Sequence, residues 1–175
     1  MKKLACLVAV AAMFLMALPQ SLAAQKPSKV GDAIVDFQLK SLEGKLVKTA
    51  KERKDKVLVL KFGATSCPPC TYQIPHLNKV VKEYAKKPVV VIDVDIREPA
   101  ARVKAHNRRH RTNYVTLLDS NAKVAIKYGV RYIPLVIVAD KKGKILYRGY
   151  FTPFNVLKRL IDGALKEKTE EKEGA

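Results

Sequence analysis

The chain holds few of the residues that staple small proteins or bind soft metals: 175 residues contain three cysteines, three histidines, three methionines and no tryptophan. Three cysteines are too few for a disulfide framework or a four-cysteine zinc site. His106 and His110 share a helical face but lie among Arg102, Arg109 and Arg111, which repel a cation, so no metal is expected. Acids are short as well, with 16 Asp and Glu against 34 Lys and Arg, a formal charge of +18. A field of that sign favours anionic partners: an acidic protein, a lipid surface or nucleic acid. No internal repeat is present. The main apolar run, Leu4 to Leu18, is shorter than the roughly 20 residues a membrane-spanning helix needs.

That run has another reading. Lys2 and Lys3 precede it and Ser21-Leu22-Ala23 follows it, the positive, apolar and small-x-small parts of a secretory leader. Residues 1–24 are therefore expected to be a signal peptide, and the mature protein periplasmic or extracytoplasmic; an uncleaved N-terminal membrane anchor is the alternative. Export argues against nucleic acid as the partner. Cys6 lies inside the leader with no apolar run before it, and does not read as a lipidated cysteine. Loss of Lys2 and Lys3 takes the charge from +18 to +16.

Residues 25–165 are enough for one domain with a single core. Paired strands are expected over "AIVDFQL" and "KLVKT", around Glu43-Gly44. "KVLVLKF", Lys56 to Phe62, is a continuous β-rich run of the kind buried on both faces. Ile74, Leu77, Val80, Val81 and Tyr84 recur at helical spacing, with Pro75 inside. "VVVIDVDI" predicts a second buried strand, Ala100 to Arg111 a basic helix, "YVTLL" a short strand, and Ala122 to Tyr128 a helix closed by Gly129. "PLVIVAD" and "KILYRGY" are antiparallel strands joined at Lys141-Lys142-Gly143, and a last helix runs from Pro153 to Leu165. Residues 166–175 form a charged tail without apolar periodicity, expected to be disordered. The alternation predicts an α/β fold with a mixed central sheet flanked by helices.

In the mature chain only Cys67 and Cys70 remain, in "KFGATSCPPCTYQIPH". So short a loop gives little entropic stabilisation, and a pair between a buried strand and its helix reads as a redox centre. Pro68 and Pro69 suit a first helical turn, where no N–H is needed. The helix N-terminus favours an anion, so Cys67 is the expected nucleophile and Cys70, one turn on, the resolving thiol. In "YGVRYIPLVIVAD", an Ile-Pro before a buried strand is expected to be a cis peptide facing Cys67, offering the backbone of Ile133 beside Pro134 to an extended chain. The exchange needs no cofactor.

Phe37 in "VDFQL", the strand entering "FGATSCPPC", Pro75, and "YGVRYIP" followed by "ADKKGKILYRGY" together resemble the TlpA/ResA-like exported branch of the thioredoxin superfamily. The resemblance covers about Val30 to Leu165. It implies a thioredoxin-like fold with an N-terminal hairpin and an inserted strand-helix element around "VVVIDVDIREPAARVKAHNRRH". It also implies reduction of disulfide-bearing exported proteins, with a membrane thiol-disulfide electron donor as second partner and cytochrome c biogenesis as the best-known setting.

Some positions depart from that branch. Ser66 stands where a tryptophan usually precedes the first cysteine, Gln73 replaces a glutamate able to relay protons, and Leu135 follows Pro134 where members devoted to cytochrome c tend to carry glutamate. Lys61 takes the place of a buried acid in thioredoxins. Either its side chain runs out to solvent, or its charge lies near the thiols and lowers their pKa. Two other functions fit the same cysteines: a disulfide oxidase or isomerase, and a Cu(I)-binding protein. No Pro-x3-Thr-x2-Cys pattern surrounds either cysteine, which argues against a peroxidase.

Overall fold

A computed structural model describes residues 28–166, so the expected leader and most of the charged tail lie outside the described residues. The elements run β1 (Gln38–Ser41), β2 (Leu46–Lys48), α1 (Thr49–Glu52), β3 (Val57–Gly63), α2 (Pro68–Glu83), β4 (Val89–Ile96) and α3 (Ala100–Arg109). There follow β5 (Val115–Asp119), α4 (Lys123–Lys127), β6 (Leu135–Ala139), β7 (Ile145–Gly149) and α5 (Phe154–Lys166). The strands form one seven-stranded sheet in the order β2-β1-β5-β4-β3-β6-β7. Helical crossovers make β3, β4 and β5 parallel, and the tight link at 141–143 makes β6 and β7 antiparallel.

Every residue of β3 is buried, because β4 and β6 flank it and helices cover both faces. The pleat sends Leu58, Leu60 and Phe62 to one face, against Ile92, Val94, Leu117, Tyr128 and Ile137. Val57 and Val59 go to the other, against Leu77 and Val80 of α2 and Leu157 and Ile161 of α5. Fully burying a leucine such as Leu60 contributes about 1.5–3 kcal/mol. Lys61, Asp93 and Asp95 also fall on the α2 face of the sheet, and all three are buried.

Two expected boundaries shift. The first strand begins at Gln38 rather than Ala33, because the preceding backbone bonds elsewhere: Ile34 N–H donates to the Gly143 carbonyl at 2.7 Å and Phe37 N–H to Thr49 Oγ1 at 2.9 Å. The basic helix ends at Arg109, since Arg111 adopts a left-handed φ of 51° that no helix continues through. The short α1 was not expected.

Candidate active site

The end of β3 delivers the chain to α2, and the cysteines sit on that junction. Cys67 is the N-cap of α2, in extended backbone, and its sulfur accepts the Cys70 N–H at 3.2 Å. Pro68 and Pro69 occupy the first turn, where the backbone donors would otherwise lack partners. Cys67 is half-buried and Cys70 is 1 % exposed, and the two are joined as a disulfide with Cα atoms 5.2 Å apart. No acid lies in the first turn to oppose an anion at Cys67. The Ile133–Pro134 peptide is cis, and the Ile133 carbonyl oxygen lies 3.7 Å from the Cys67 sulfur. Sequence-distant segments thus converge on the outer thiol. Exposed Tyr132, next to the cis peptide, meets Tyr150 edge to face at 6.1 Å, and exposed Tyr72 shares a recess with Ser66 and Pro68.

Beneath the disulfide the surroundings are charged. Lys61 does not run out to solvent: its side chain is 4 % exposed and its ammonium lies 2.9 Å from both carboxylate oxygens of Asp93, its register partner on β4. One step up, Gly63 pairs with Asp95. A Cβ on Gly63 would lie 2.9 Å from the Lys61 ammonium and 3.3 Å from the Cys70 sulfur. The absent side chain is therefore the space in which the ammonium and the inner thiol approach one another. Lys61 belongs to Cys70 more than to Cys67, and it carries its own counter-ion.

Asp95 leaves the sheet on this same face. Burial, then the Asp93 and Glu98 carboxylates, push its carboxyl up to about 8, against the partial opposition of Lys61. At neutral pH Asp95 therefore holds a proton at the β4 position facing Gly63. The sequence reading missed it. Acids at alternate positions of a strand otherwise read as buried, facing a lone buried lysine, were the available signal.

Gln73 is fully buried and joins α2 to the loop after β7: its amide donates to the Thr152 carbonyl at 2.8 Å and its oxygen accepts the Thr152 N–H at 2.7 Å. It supports the site by position. His76 accepts the Phe154 N–H at 3.2 Å and so helps to hold the start of α5. Among the described residues no three His, Cys, Asp or Glu side chains group as a metal site.

A buried-strand, dithiol-helix and cis-proline arrangement of this kind defines a thiol-disulfide oxidoreductase of thioredoxin-like fold. Sequence comparison agrees, and the chain belongs to the AhpC/TSA family, whose pattern matches residues 30–148. It is 31 % identical over 119 residues to the thiol-disulfide oxidoreductase ResA of Halalkalibacterium halodurans, covering 68 % of this chain and 67 % of that one. It is 30 % identical over 118 residues to ResA of Bacillus thuringiensis strain Al Hakam, covering 67 % and 68 %. In fold it is similar to a thiol:disulfide interchange protein of the thioredoxin family from Chlorobium tepidum, with TM-score 0.68 and 21 % identity, covering 80 % of this chain and 99 % of that one.

Proposed function

We propose that this oxidoreductase is exported and works as a reductant of protein disulfides, with Cys67 as nucleophile and Cys70 as resolving thiol. The carrying observation is the contrast between the sulfurs: one at a solvent-facing helix N-cap beside Ile133, the other buried over Lys61 and Asp95. In the reduced protein the Cys67 thiolate, favoured by the helix terminus, attacks a sulfur of the target. The target's S–S bond breaks, its first thiolate leaves and is protonated by solvent, and a mixed disulfide remains on Cys67. Cys70 then gives its thiol proton to the ionised Asp95 carboxylate, directly or through one water. Its sulfur attacks that of Cys67 and expels the second target thiolate. Two electrons have passed to the target, and the chain is left with the Cys67–Cys70 disulfide and a protonated Asp95, the state its raised pKa favours. A membrane thiol-disulfide donor restores the dithiol: its thiolate attacks the Cys67 sulfur, the expelled Cys70 thiolate takes the proton from Asp95, and the carboxylate is left ionised for the next cycle.

Lys61 has a bounded part in this scheme. Its charge favours thiolate at Cys70 during resolution, while Asp93 prevents it from being a lone buried cation. The leader over residues 1–24 supports the exported setting, and N-terminal sequencing of the mature protein tests it.

The catalytic order is tested by trapping. Cys70→Ser, mixed with a disulfide-bearing protein, should accumulate a mixed disulfide on Cys67, whereas Cys67→Ser should form none. Equal trapping by both variants would overturn the assignment.

A further inference from the structure

Helix α3 carries a dense run of positive charge, most of it in its last turn. Lys104 and Arg108 are spaced i,i+4, an arrangement in which like charges destabilise a helix, and the His106 and His110 rings lie 4.5 Å apart. The neighbouring acids are already engaged: Glu98 accepts from Thr65 Oγ1 at 2.9 Å and from Arg102 at 3.3 Å, and Glu43 accepts from Ser41 Oγ at 2.8 Å. Among the described residues, Arg108, Arg109 and Arg111 have no ion-pair partner, and Lys104 has only the exposed Glu43 near it, outside salt-bridge distance. A merely solvated face intersperses both signs.

The helix is held firmly. Val103 is fully buried, Asn107 donates to Thr116 Oγ1 at 2.9 Å, and the His106 ring nitrogen lies 3.1 Å from Thr71 Oγ1, one residue beyond Cys70. Helical spacing divides the charges between two recesses. Lys104, Arg108 and Arg111 line one of about 770 Å³, shared with Lys45 and the single acid Glu43 of the β1–β2 hairpin. His106, Arg109 and His110 line one of about 290 Å³ together with Ser66 and Pro68, the residues on either side of Cys67. The smaller recess therefore adjoins the outer thiol, and the larger lies on the other side of the same helix. Recesses of this size admit carboxylate side chains of a polypeptide, whereas the plane of a lipid headgroup layer would meet only their rims.

We propose that α3 is the charge-reading wall of the substrate site, and that the preferred substrates are polypeptides with acidic residues beside the disulfide to be reduced. The inference rests on the thiol-disulfide exchange reading above and adds its specificity. Aspartates or glutamates near the target cysteine engage Arg109 and its neighbours as the target sulfur reaches Cys67. Electrostatic steering of this kind raises association rates by about 10- to 1,000-fold at low ionic strength.

The test compares two synthetic peptides with the same intramolecular disulfide, one flanked by glutamates and one by lysines, with neutral hydroxyethyl disulfide as reference. The reduced wild type should react with the acidic peptide about tenfold faster at low salt. The preference should largely vanish near 1 M salt, where the screening length falls to about 3 Å. The triple variant Arg108→Gln, Arg109→Gln, Arg111→Gln should lose the preference while reducing hydroxyethyl disulfide at the wild-type rate. Equal peptide rates in the wild type, or a preference kept by the triple variant, overturn the proposal. Cosedimentation with phosphatidylglycerol vesicles through these arginines, alongside equal peptide rates, makes this a lipid surface and also overturns it. Failure to reduce even hydroxyethyl disulfide counts against the exchange reading instead. Fluorescence anisotropy of the labelled peptides on the oxidised protein then decides the surface separately: tighter binding of the acidic peptide, weakened in the triple variant, supports it, and equal binding overturns it.

Discussion

Lys61 and Asp93 face one another across β3 and β4 with the ammonium 2.9 Å from the carboxylate, and both side chains are at most 4 % exposed. Desolvation of two buried charges offsets much of their attraction, so the pair contributes little net stability while either member alone is costly. Asp93→Leu alone should lower the unfolding free energy by about 3–5 kcal/mol in urea titrations of the oxidised protein. The double variant Lys61→Met, Asp93→Leu should recover most of that loss. A single variant within about 1 kcal/mol of wild type would show that the lysine finds another partner.

Asp95 makes stability depend on pH in a defined sense. Its carboxyl is raised from 3.8 to about 8 on folding, so between these values the native state holds a proton that the unfolded chain has released. Its contribution should therefore be fully present below about pH 4, fall as pH rises, and level off above about pH 8. Asp95→Asn should flatten that slope in the oxidised protein. In the reduced protein it should slow the resolution step, read as longer-lived mixed disulfide on Cys67, while leaving its formation unchanged. An unaltered mixed-disulfide lifetime would remove Asp95 from the proton path.

Gly63 is a glycine for lack of room. An added Cβ would lie 2.5 Å from Lys61 Cε and 2.9 Å from its ammonium, closer than real contacts allow. Gly63→Ala should cost about 1–3 kcal/mol, the usual range for overpacking, and should move the Cys70 thiol titration as the lysine is displaced. An unchanged Cys70 titration would separate the lysine from the inner thiol.

Gln73→Leu removes both hydrogen bonds to Thr152 and leaves that buried N–H and carbonyl unpaired. It should cost about 1–3 kcal/mol. Because the loop also carries Tyr150, whose ring meets Tyr132 next to the cis peptide at 6.1 Å, protein substrates should lose more rate than hydroxyethyl disulfide does. Equal losses would confine Gln73 to stability.

Much of this architecture was legible because it is written locally. The apolar run of β3, the helical recurrence through Tyr84, the Ile133-Pro134 step and the Cys-Pro-Pro-Cys junction each announce themselves within a few residues. What could not be read is register. Lys61, Asp93 and Asp95 lie in recognisable strands, but only the β3–β4 pairing sets Lys61 opposite Asp93 and Gly63 opposite Asp95. The same limit hid the docking of the β1–β2 hairpin on β5, which adds two strands at that edge of the sheet. Lys61 was read without its counter-ion for this reason, and Gln73 as a lost carboxylate rather than as the tie to Thr152.

The direction of electron flow is the central claim, and the equilibrium reduction potential of the Cys67–Cys70 pair tests it most directly. Thiol state would be read by alkylation and mass in dithiothreitol and glutathione buffers. A reductant requires a value near that of thioredoxin, about −270 mV. A value near the strong-oxidant limit, about −120 mV, would contradict the account and make the protein a disulfide donor.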